Sequence, residues 1–152
     1  MKNKKVKILF WMLVGIFIIL VSYFVIPAPQ TIKRVLFPFV AGLGILFFLL
    51  GGVLVFLSWK LKKKGKLRIF LLLTGSSAVG FLIGVLLHNF VYGLCIYLFG
   101  DGFWKGGDEA VFFIIALFVC PIVFLVGVVG SIVLMIRENK YKSKNKKEVK
   151  NR

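Results

Sequence analysis

The chain has 152 residues, of which 60% are hydrophobic and 17% charged, whereas a soluble domain keeps about half its residues polar. Its formal net charge of +16 comes from 21 Lys and Arg against 5 Asp and Glu, and these charges are confined to the ends and to three short connections. Such segregation excludes an ordinary soluble domain and predicts an all-α integral membrane protein: four transmembrane helices in an antiparallel bundle.

A helix needs about 20 mostly apolar residues to cross a hydrocarbon layer of roughly 30 Å at about 1.5 Å per residue. After a basic N-terminal tail, residues 1–7, the first segment runs from Ile8 to Ile26 and stops at Pro27 and Pro29, which cannot continue a helix. It is longer than a secretory signal core and no small-residue cleavage site follows, so it is expected to remain as an anchor. The second runs from Val35 to Trp59, with Pro38 read as part of its opening turn, and ends at the basic run Lys60 to Lys64. The third runs from Leu67 to residue 90, or to Phe99 if it continues through His88 and Asn89. The fourth spans Ala110 to Ile136, with Asp108 expected to cap its first free amides. The membrane domain is thus residues 8–136. The basic tail from Arg137 to Arg152 lacks an apolar period and is expected to be disordered.

Basic residues gather in short cytoplasmic loops because they are translocated poorly. Taking alternate sides of the four segments, eighteen of the Lys and Arg fall with the two termini and the 60–68 loop, against Lys33, Arg34 and Lys105 opposite. The expectation is a multi-pass protein of the cell membrane with both termini cytoplasmic. Lys60, Lys62, Lys63, Lys64, Lys66, Arg68, Arg137 and Lys140 then lie at the height of anionic lipid headgroups, which makes the bilayer the expected partner. A specific nucleic-acid partner is not expected, since topology already accounts for the charge.

Small residues let membrane helices approach closely. On the third segment Ser76, Gly80 and Gly84 recur every four residues, and on the fourth Ala116, Cys120, Gly127 and Ser131 form one stripe. The two stripes are expected to meet, closed by the short connection GDGFWKGG, Gly100 to Gly107.

Chemistry-bearing residues are few. A single histidine cannot supply two haem ligands, and the two cysteines, Cys95 and Cys120, do not form a C-x-x-C pair, so both are expected to be free thiols. The sequence contains no nucleophile elbow, phosphate-binding glycine loop or paired catalytic carboxylates. No catalytic residue, metal ligand set or cofactor is predicted. The one candidate polar cluster is His88, Asn89, Tyr92, Asp108 and Glu109, either an interfacial belt with Trp104 or a proton-sensitive pairing of His88 with an acid. The function expected is a non-enzymatic small membrane subunit or scaffold that associates through glycine-rich faces into a homo-oligomer or larger complex. Its alternatives are a subunit of a small-solute or ion transporter or channel using that outer cluster, and a metal-dependent membrane enzyme built on His88, Asp108 and Glu109.

Overall fold

A computed structural model describes residues 2–61, 65–100, 102–104 and 107–150. Its long helices are α1 (Lys2–Val25), α2 (Gln30–Trp59), α3 (Lys66–Phe99) and a fourth assembled from three pieces. That fourth helix opens as α4 (Val111–Ile114), passes through a π-helical turn at Ile115–Val119 and continues as α5 (Cys120–Lys150). Four of its stretches are long and apolar enough to cross a membrane: Lys4–Val25, Gln30–Trp59, Lys66–Phe99 and Val111–Glu138.

Several boundaries differ from those the sequence suggests, each for a local reason. Helix α2 begins at Gln30 rather than Val35, because Pro29, at φ −53° and ψ 142°, stands just before it and accepts its first bond from the Lys33 amide at 3.1 Å. Lys33 and Arg34 therefore ride on the helix, and Pro38 lies two turns inside it instead of in its opening turn. Helix α3 continues to Phe99, ending where Gly100 adopts a φ of 81° that favours glycine. The α5 backbone is helical as far as Lys150, where a disordered tail was expected. Nucleation is the costly step of helix formation, and a chain already helical through its apolar stretch extends cheaply over Lys and Glu.

Neighbours in the chain are neighbours in space: α1 packs chiefly on α2, α2 on α3, and α3 on the fourth helix. Close approaches occur at glycine. A β-carbon added to Gly51 of α2 would stand 2.8 Å from that of Ala78 and 3.0 Å from the carbonyl oxygen of Gly75. One added to Gly75 would meet Val55 and the Gly51 carbonyl oxygen at 2.8 and 2.9 Å. On the other side of α3, Gly84 faces Ala116 and Gly80 faces the Cys120 sulfur, while Gly127 lies over Thr74 and Gly130 over the Phe70 ring. Helix α1 reaches the fourth helix through rings: Phe17 stacks on Phe124 with centroids 4.3 Å apart, and Phe47 of α2 completes the trio 5.3 Å from Phe124. Below it, Phe10, Leu13, Leu54 and Leu71 are fully or almost fully buried.

These contacts predict a sharp contrast between two glycines of similar setting in sequence. Gly75→Val is expected to lower stability in detergent by about 1–3 kcal/mol, since backbone lies in the way of the new side chain. Gly52→Ala, where a β-carbon meets nothing within 4 Å, should leave the melting temperature unchanged or slightly raised. Equal melting temperatures for the two variants would show that α2 and α3 do not meet at Gly75.

Candidate functional site

The α3 helix outlasts its partner by about three turns, and the connection from Gly100 descends along those turns before the fourth helix begins. Phe103 stacks on Phe99 at 4.9 Å, Trp104 stacks on Tyr92 at 6.0 Å, and the Trp104 indole N–H donates to the Tyr92 carbonyl oxygen at 3.4 Å. The tight hairpin suggested by the short glycine-rich connection is therefore a folded-back strap. Asp101 and Lys105 lie outside the described residues.

The strap delivers two carboxylates to one histidine. His88 Nδ1 donates to the Glu109 main-chain oxygen at 2.9 Å and lies 3.2 Å from Glu109 Oε2. Its other nitrogen, Nε2, faces Asp108 Oδ2 at 3.5 Å. The Phe113 ring covers the imidazole at 5.5 Å. The His88 side chain is 15% exposed, that of Glu109 5% and that of Asp108 61%, so the cluster has a closed inner half and an open outer one.

Glu109, not Asp108, serves the start of the fourth helix. Its Oε1 accepts the amides of Val111 and Phe112 at 2.7 and 3.1 Å, and Oε2 accepts Phe112 at 3.0 Å. Asp108 instead accepts the amide of Glu109 at 2.7 Å. The longer glutamate side chain can curl back over the free N–H groups from outside the helix, where the positive helix end favours its charge. Burial alone would raise the pKa of Glu109, but the Phe112 amide, the His88 ring and the Val111 and Phe113 amides together outweigh it and hold the carboxyl below 4.5.

The other sequence candidates fall elsewhere. Asn89 is exposed and turns back on its own helix, donating to the Val85 carbonyl oxygen at 2.8 Å. Tyr92 belongs to the aromatic strap, one turn above His88. Ser76 is exposed, and it is Ser77 that is buried, donating to the Thr74 carbonyl oxygen at 3.0 Å. Ser131 is wholly buried, and its hydroxyl has no hydrogen-bond partner among the described residues. At the basic end, Lys60 lies over the Phe56 ring at 4.1 Å, Lys66 and Arg68 open α3, and Arg137 and Lys140 are exposed on α5. Lys62, Lys63 and Lys64 lie outside the described residues.

Sequence reading missed the π-helical turn. Its cause is Pro121, which has no N–H to give and whose ring would strike the carbonyl of Leu117 in a regular α-helix. The Cys120 amide reaches back five residues to Ile115, and the widened turn accommodates the ring. A proline preceded by an unbroken apolar run is the signal that could have located it.

What the cluster can do chemically follows from its layout. The two carboxylates address opposite nitrogens of one ring, so a single metal ion could not take all three side chains, and among the described residues no group of three His, Cys, Asp or Glu is arranged to hold a metal. The arrangement ties α3 to the start of the fourth helix. No known protein family, curated protein or solved structure matches the chain.

Because the Glu109 carboxyl is held below its unfolded value, its contribution to stability is present above about pH 4.5 and is lost as pH falls through the lowered folded value. Detergent-solubilised protein should therefore lose stability as pH falls below about 4.5. Glu109→Gln should be less stable at pH 7 and show a flatter profile in that range. Superimposable profiles would remove Glu109 from the acid response.

Proposed function

We propose that the chain is a four-span integral protein of the cell membrane, with both termini cytoplasmic, acting as a non-enzymatic small subunit or scaffold. The observation that carries this reading is the self-sufficiency of the buried half of its polar cluster. Glu109 is engaged by helix amides and by His88, and His88 Nδ1 by the Glu109 main-chain oxygen. A group engaged in this way braces a fold, whereas a general acid or base must have a reacting proton within reach. The antiparallel order of the helices supports the topology, since it gathers the start of α1, Lys60, Lys66, Arg68 and Arg137 at one end.

Glycine contacts already used between α2, α3 and the fourth helix move the expected partner surface elsewhere. Partners are another copy of the chain or other membrane helices, bound on lipid-facing sides, with anionic headgroups around the basic end. The second reading, a subunit of a transporter or channel for a small solute or ion, is favoured by one observation: Asp108 is largely exposed and faces His88 Nε2.

Two experiments test these readings. A reporter active only in the cytoplasm is expected to work when fused after Arg152 or within Lys60 to Lys66, and to fail near Lys33 or Lys105; activity at Lys105 would sink the four-span topology. In proteoliposomes the scaffold reading expects no ion or proton flux above protein-free vesicles, together with a defined assembly larger than one chain in mild detergent. Flux abolished by Asp108→Asn would replace it with the transporter reading.

A further inference from the structure

Helices α1 and the fourth touch at the ring trio and then part, leaving a cavity of about 330 Å³ between them. Phe17, Phe47 and Phe124 close its lower end, and Ser77 and Phe81 of α3 form its back wall. Along one rim run Val21, Phe24 and Val25 of α1, and along the other Leu117, Cys120 and Pro121 of the widened π-helical region. From Phe17 to Val25 the slot is about 12 Å deep, at about 1.5 Å per residue. The rim residues Val21, Phe24, Val25 and Leu117 are exposed, while Ser77, Cys120 and Phe124 are buried, so the slot opens sideways and is closed at its back. Its one hydroxyl, on Ser77, already donates to a main-chain oxygen, which leaves an interior suited to hydrocarbon.

The upper end of the slot has a different character. Phe113 lies one turn above Leu117 and packs on His88, whose Nε2 faces the exposed Asp108 carboxylate. Ser77, Phe81 and His88 share one face of α3, so the back wall leads up to that cluster. On the α1 side, Phe24 packs edge-on against Tyr23, and Lys33 Nζ stands 6.0 Å from the Tyr23 ring centre. Beyond the slot's end, and outside its lining, an acidic group therefore stands on the fourth-helix side and a basic group on the α1 side.

We infer that this slot is a lipid site that takes one acyl chain of a zwitterionic phospholipid with an ammonium headgroup, the ammonium beside Asp108 and the phosphate towards Lys33. The inference rests on the four-span reading, because only in a bilayer is a hydrocarbon chain the slot's ordinary neighbour. Charge complementarity selects the headgroup: an anionic lipid without an amine would satisfy Lys33 and be repelled by Asp108 and Glu109. A second copy of the chain fits less well, since the opening lies between two helices whose lower ends are already joined by stacked rings.

The test uses the full chain in phosphatidylcholine vesicles doped with a phosphatidylethanolamine, or a phosphatidylglycerol, that carries a photoreactive diazirine on its acyl chain. The phosphatidylethanolamine probe is expected to label Phe24, Phe81, Leu117 or Cys120 in preference to lipid-facing Ile18 and Val53, and about fivefold more than the phosphatidylglycerol probe. Filling the mouth with Val21→Trp and Leu117→Trp, both at exposed rim positions, should remove slot labelling while circular dichroism and assembly size stay unchanged. Asp108→Asn should keep the chain in the slot but erase the headgroup preference. Labelling spread evenly over the apolar surface, or slot labelling equal for both probes in the parent protein, would overturn the proposal. Resistance of the parent and both variants to alkaline carbonate extraction checks membrane integration separately, so a failed lipid site is distinguishable from a failed topology.

Discussion

Large apolar side chains remain exposed on every one of the four long helices, and what fixes one helix against the next is short-range packing at small residues. Helix α3 supplies that packing on two sides. Gly75 and Ala78 let α2 in close, and Thr74, Gly80 and Gly84 receive the fourth helix at Gly127, Cys120 and Ala116. With two neighbours fixed to one central helix, the remaining geometry follows. Phe47 and Phe124 are brought side by side, and α1 finds its place by laying Phe17 against them. The polar end is set by the same contacts: Gly84 against Ala116 puts His88 one turn higher, level with the start of the fourth helix, where Glu109 bonds to its ring.

How much of this was legible depends on the range of the interaction responsible. The four long apolar helices can be read directly, because length and the absence of charge are properties of each segment alone. The facing stripes of Gly80 and Gly84 with Ala116 and Cys120 are legible as periodicities. The Gly51 and Gly75 approach is not, since nothing in either helix marks those glycines from Gly42, Gly44 or Gly52, which meet nothing. Helix starts were harder. Asp108 has the residue type of a cap, but Glu109 has the reach, and the choice between adjacent carboxylates is made by the path of the strap. That path depends on Phe103 and Trp104 stacking on α3, a tertiary event with no local signature.

Polar and apolar features of the outer half are parts of one arrangement. Pro121 widens the fourth helix at the π-helical turn, and the slot lies against that widened wall. One turn above, Phe113 covers His88 and shields the histidine bonded to Glu109. Asp108, outside that shield, is the member of the cluster left facing outward.

The order of packing along the chain bears on how the molecule is made. Every principal contact joins helices consecutive in sequence, so no long loop must close before the helices can begin to pair. Synthesis from the N-terminus delivers α1 first, but its main partner arrives with α2 and its final lock, Phe124, only with the last helix. Of the ring trio, Phe17 and Phe47 are made with α1 and α2, and Phe124 follows near the start of α5. The slot comes into being at the same moment, because its second rim belongs to the last helix delivered.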